Sequence, residues 1–148
     1  MKKVFAVLLF LVSSISMAGD IAVEDAWIQD APPAARVMAA YMRIVNRSDH
    51  AVTLEAVESD RFGAVDIHAT EVHHGMVHMS ERRAVPIAPG ESLALEPGGH
   101  HLMLRKAKGS VRAGDRVTFM LHFGNGDILE TVAVVRGSDA GAAGGAAR

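Results

Sequence analysis

The run Val117-x-Phe119-x-Leu121-x-Phe123, then Gly124-Asn125-Gly126-Asp127, then the valine-rich Ile128–Arg136, commits the end of this chain to a β-hairpin. Alternation with period two places the large apolar side chains on one face, and Asn-Gly suits the positive φ angles of a tight hairpin turn. The same grammar runs backwards through the chain. Candidate strands are Ile21–Ile28, Ala39–Asn46, Ala51–Glu58, Gly63–Ala69, Met76–Arg82, Ser92–Glu96 and His101–Arg105, besides Val117–Phe123 and Ile128–Arg136. Turn residues separate them at Asn46-Arg47-Ser48-Asp49, Ala88-Pro89-Gly90-Glu91, Pro97-Gly98-Gly99 and Ala113-Gly114-Asp115. Asp30–Val37, with Pro32-Pro33, reads as a loop, since proline cannot donate in a ladder. Many short strands without a helical run or an internal repeat predict one all-β domain, a sandwich or a barrel.

The two ends read differently. Residues 1–18 have the order of a secretory signal: Lys2 and Lys3, the apolar run Val4–Val12, and small residues at Ser16 and Ala18. Cleavage after Ala18 is expected. The apolar run is shorter than the ~20 residues a membrane helix needs, and no cysteine follows to take a lipid, so a soluble exported protein without a membrane anchor is expected. Residues 19–136 then form the domain, and 137–148, Gly/Ala-rich and poor in bulky side chains, form a disordered tail. Loss of Lys2 and Lys3 takes the net charge from −2 to −4. That balance, with no basic patch, argues against a nucleic-acid partner.

Chemistry concentrates between His68 and Met103, which hold six of the eight histidines and three of the eight methionines in a chain without cysteine. A hairpin centred between His73 and His74 would set His68 directly opposite Met79. On the strand that follows Pro97-Gly98-Gly99, His101 and Met103 share one face, while Leu102 and Leu104 take the core face. Each half thus offers one imidazole and one thioether. Thioether sulfur is a soft donor, so the set suits Cu(I) better than Mg, Ca or Mn. Structural zinc sites usually draw on cysteine, and a blue-copper centre requires one. For His73, His74 and His78 the plain reading is a polar hairpin tip. The functional one is an auxiliary site that takes Cu(II), which imidazole also suits, or that passes copper to the His/Met set. Met120 and His122 read as a solvated strand face, and Trp27 as core or core edge.

The pattern His68, ten residues, Met79, twenty-one residues, His101, one residue, Met103 closely resembles the PCuAC family of periplasmic copper chaperones. The likeness extends to Ala26-Trp27, Ala39-Ala40-Tyr41-Met42, Val65-Asp66-Ile67-His68, Gly75-Met76-Val77-His78-Met79 and Pro97-Gly98-Gly99, over about residues 24–135. His73, His74, His78 and His100 enrich the region beyond the family pattern. The resemblance implies a cupredoxin-like Greek-key sandwich, Cu(I) bound on an exposed face, a periplasmic location, and delivery to the copper-site subunit of cytochrome c oxidase or to a Sco-type thiol protein. A monomer is expected.

Catalysis finds little support: there is no thiol nucleophile, Gly-x-Ser-x-Gly elbow, phosphate-binding loop or His-Glu-x-x-His motif. The competing functions are copper sequestration without transfer, and an adhesion or assembly sandwich with incidental histidines.

Overall fold

The computed structural model describes residues 16–137, and all its regular structure is β. The strands are β1 (Ser16–Ala18), β2 (Ile21–Gln29), β3 (Val37–Asn46), β4 (Val52–Ser59), β5 (Phe62–His73), β6 (Met76–Glu81), β7 (Val85–Ile87), β8 (Ser92–Leu95), β9 (His100–Ala107), β10 (Arg116–Phe123) and β11 (Ile128–Arg136). Hydrogen bonding runs in the order β6-β5-β9-β8-β3-β2-β11-β10-β4-β7, with β1 beside β2. The short Asp60-Arg61 link joins β4, near one end of this path, to β5, near the other. The sheet therefore curls over on itself and closes a single core. Two pairings are parallel, β2 with β11 and β8 with β9, and most neighbours in space are not neighbours in sequence.

Alternation decides what the core contains. Val117, Phe119, Leu121 and Phe123 of β10 are buried together with Leu129, Ala133 and Val135 of β11, and Thr118, Met120 and His122 lie on the outer face. Gly126 takes φ +92° in the connecting turn, and Asn125 Oδ1 accepts from the Asp127 N–H at 3.0 Å. His122 pairs with Glu58 at 3.1 Å, in keeping with a solvated strand face. Asn46 is the fully buried polar side chain of the core. Its Nδ2 donates to the carbonyls of His50 and Ile87 at 2.8 and 3.0 Å, and its Oδ1 accepts from Ser48 Oγ at 2.6 Å. It thereby pins the β3–β4 turn to β7.

Several expectations need amendment. Val85–Ile87 is a strand despite Pro86, which is tolerated because β7 ends the sheet and pairs only with β4. The expected strand Gly63–Ala69 extends to His73. The expected leader lies mostly outside the described residues, but Ser16–Ala18 pairs antiparallel with Ile21–Val23. The tail from 138 onward also lies outside the described residues.

The hairpin register differs from expectation. The β5–β6 turn is His74-Gly75, with φ +52° and +78°, so His73 pairs with Met76, Thr70 with Met79, and His68 with Glu81 rather than Met79. A two-residue turn with positive φ at both positions favours glycine at its second position, and Gly75 draws the turn one residue along the chain. The register slides by two. An even slide keeps every side chain on its expected face, so His68 and Met79 remain diagonal neighbours on one side of the ribbon.

Candidate metal centre

β9 lies between β5 and β3, and its register places His101 directly across from His68, and Met103 across from Asp66 on one side and Ala39 on the other. Leu102 and Leu104 point inward with no exposed surface. His68 and Thr70 of β5, Met79 of β6, and His101 and Met103 of β9 consequently share the outer face. The loop between β2 and β3 rises beside them. A cleft of about 490 Å³ results, lined by Met79, His101 and Met103 together with Pro32, Ala35 and Ala39. Ala39 matters because a larger side chain there would fill the space over Met103.

The two imidazoles are neighbours, with ring centroids 5.8 Å apart. A metal-bound nitrogen lies about 2.0–2.1 Å from the ion, which puts two rings on one ion at most about 6.4 Å apart between centres. His68 and His101 meet that limit. His101 is 8% exposed and its Nδ1–H donates to the Gly99 carbonyl at 3.1 Å. The lone pair is then on Nε2, the orientation that outer-shell partners give to ligating histidines. The same carbonyl accepts from the Thr70 N–H at 3.2 Å, so one oxygen fixes both the ring and the neighbouring strand. Gly98, at φ +84°, makes the turn that aims it. His68 Nδ1 is buried and has no hydrogen-bond partner. An unpartnered buried polar atom costs about 1–3 kcal/mol, and a soft cation between the rings is a partner that would remove this cost.

The nearby carboxylate is committed elsewhere. Asp66 accepts from Arg105 Nε at 2.8 Å and from its Nη2. Among the described residues no three His, Asp or Glu side chains converge as a metal set, and the further soft donors at the cleft are the Met79 and Met103 thioethers. Two imidazoles with Met79 and Met103 are a neutral, soft donor set that fits Cu(I). Tyr41, which also lines the cleft, lies against Trp27 with ring centroids 4.7 Å apart, and Arg136 sits 5.5 Å over the indole. Burial raises the Tyr41 pKa, so the phenol stays protonated at neutral pH. Trp27, expected in the core or at its edge, is half-buried and lies across from Tyr41 on the neighbouring strand, while its neighbour Ala26 packs against the core.

His73, His74 and His78 are not gathered on one face of the ribbon. His74 occupies the turn, whereas His73 and His78 lie on the ribbon face opposite the cleft, with ring centroids 6.0 Å apart. The Gly99 carbonyl and the cleft-forming loop escaped sequence reasoning. Pro97-Gly98-Gly99 was the signal for the first. The second depends on long-range packing.

A cupredoxin-like β-sandwich with imidazole and thioether donors gathered on one outer face is the class of protein that this fold and site define. The chain belongs to the LpqE-like family, described as "Putative lipoprotein LpqE-like", whose profile matches residues 21–135. Its fold is that of PCuAC domains. The copper-bound PCuAC domain from PmoF2 superposes with a TM-score of 0.69 at 23% identity, covering 82% of this chain and 97% of that one. The solution structure of CuI-DR1885 from Deinococcus radiodurans gives 0.59 at 27% identity, covering 77% and 76%. A curated relative, "Putative lipoprotein Lxx21020" of Leifsonia xyli subsp. xyli (strain CTCB07), is 27% identical over 110 residues, which are 74% of this chain and 65% of that protein. The match thus spans just under two thirds of that relative's length. Both descriptions use the word lipoprotein, whereas the 148 residues here contain no cysteine.

Proposed function

We propose that this protein is an exported, periplasmic copper carrier. It binds one Cu(I) through His68, Met79, His101 and Met103 and passes it on by ligand exchange, without catalysing a reaction. The observation that carries this reading is the juxtaposition of the His68 and His101 rings at 5.8 Å, with the Met79 and Met103 thioethers lining the same cleft as His101. The copper bound by two structural relatives, the PmoF2 domain and CuI-DR1885, supports it.

Exposure grades the exchange. Met79 is 55% exposed, Met103 is half-buried and His101 is buried. An incoming thiolate or imidazole would displace the Met79 thioether first and His101 last, so the ion stays coordinated throughout. Neutral donors favour the monovalent state, which suits carrying over redox cycling. The recipient in this reading is the copper-site subunit of cytochrome c oxidase, or a Sco-type thiol protein that serves it.

Anaerobic Cu(I) titration against a competing chelator, followed by mixing with an apo oxidase copper domain, tests the reading. One tightly held ion, bound through the four residues and transferred, is the expected result. Tight binding without transfer would identify a sequestration protein instead. Tight binding that survives loss of both Met79 and Met103 would refute the site.

A further inference from the structure

The β5–β6 ribbon has a second face, turned away from the cleft. Side-chain alternation puts Glu71 and His73 of β5 there with Met76 and His78 of β6, and the register sets Glu71 opposite His78 and His73 opposite Met76. These four positions form a square within two strands. The His73 and His78 rings, at 6.0 Å, also lie within the roughly 6.4 Å that allows two imidazoles to share one ion.

One of these rings is already oriented. His73 Nε2–H donates to Glu71 Oε2 at 3.2 Å, and Arg82 donates to the other oxygen of the same carboxylate. The His73 lone pair is therefore on Nδ1, in the carboxylate–histidine arrangement that stands behind many metal ligands. Because Glu71 is occupied by His73 and Arg82, it supports the site and is not its third donor. That donor is the thioether of Met76, the cross-strand partner of His73, which is 62% exposed. All three candidate ligands are exposed, which favours rapid exchange and weaker retention than in the cleft.

We propose that His73, His78 and Met76 form a second, weaker Cu(I) site on the back of the hairpin, with Glu71 as its positioning residue. The proposal does not depend on the cleft site: the two sets share no ligand and lie on opposite faces of one ribbon.

Anaerobic Cu(I) titration of the full chain against chelators of graded strength tests it, with the His73 and His78 ring resonances followed by NMR. The wild type should bind two ions, the second at least about tenfold more weakly. H73A/H78A should lose the weaker ion only. M79L/M103L should lose the tighter one only. Glu71→Ala should weaken the second ion by about 10–100-fold, as loss of an outer-shell partner does, and leave the first unchanged. Thermal unfolding checks that each variant folds, and the exposed tip residues should tolerate substitution. If H73A/H78A binds as many ions as the wild type, the second site is refuted. A single ion that disappears in M79L/M103L would refute the tip site and leave the carrier reading standing. A single ion that disappears in H73A/H78A would do the reverse.

Discussion

Met103 and Leu104 are adjacent on β9 and face opposite ways, so substitutions there should separate copper binding from folding. Leu104 has no exposed surface, and Leu104→Ala should cost about 2–5 kcal/mol, the usual range for a buried leucine. At roughly 4 °C per kcal/mol for a domain near 100 residues, the melting temperature of the apo protein should fall by about 8–20 °C. Met103→Leu keeps its volume in a half-open cleft, so its cost should stay below about 1.5 kcal/mol. Its effect should show only with metal. Free Cu(I) at about 1,000 times the Kd adds about 4.1 kcal/mol of stability, and a 100-fold loss of affinity reduces that gain to about 1.4 kcal/mol. The copper-dependent rise in melting temperature should therefore shrink from about 16 °C to about 6 °C. Thermal unfolding by circular dichroism under anaerobic conditions, with and without buffered Cu(I), measures both quantities. The reasoning fails if Met103→Leu keeps the full copper-dependent rise, or if Leu104→Ala abolishes that rise while still folding.

Three further outcomes can be checked separately. His68→Ala should abolish tight Cu(I) binding yet change apo stability by less than about 1 kcal/mol, because the lost Nδ1 has no protein partner whose removal would leave a gap in hydrogen bonding; an apo loss above about 2 kcal/mol in chemical denaturation would contradict that. Gly98→Ala forces a side chain into φ +84°; it should cost about 1 kcal/mol and lower copper affinity by disturbing the Gly99 carbonyl that orients His101, whereas unchanged affinity would detach the turn from the site. The hydrogen bond from His73, and then the charge of Arg82, hold the Glu71 carboxyl below its ordinary value of 4.5. Its contribution to stability is therefore complete above that pH and is lost as pH falls through the lower folded value; a carboxyl NMR titration with a midpoint at or above 4.5 would contradict this.

The elements with a strong period were legible from residues alone. Val117–Phe123, Asn125-Gly126 and Ile128–Arg136 fold as their alternation requires, and the facing of His101 and Met103 against Leu102 and Leu104 follows from the same rule. The hairpin register was not legible from the His73-His74 pair, because the conformation of a two-residue turn belongs to Gly75 as much as to the histidines beside it. Face survived that error and pairing did not, since a slide of two conserves parity. Pro86 concealed β7, whose place at the end of the sheet becomes evident only once the neighbouring strands are known. The His68–His101 pairing joins residues thirty-three positions apart, and nothing local in the sequence specifies which strand will lie beside β5.

The position of β6 bears on how this protein could be read by another. It is the terminal strand of the sheet, attached along one side only, to β5, and such margins open locally at far lower free energy than the core. In the cleft site the ion would join Met79 of β6 to His101 and Met103 of β9, clasping the outermost strand to one with which it shares no ladder. The empty protein would then carry a loose flap and the loaded protein a stiff one. An acceptor could tell full from empty by the stiffness of that margin before any of its own donors reached the metal.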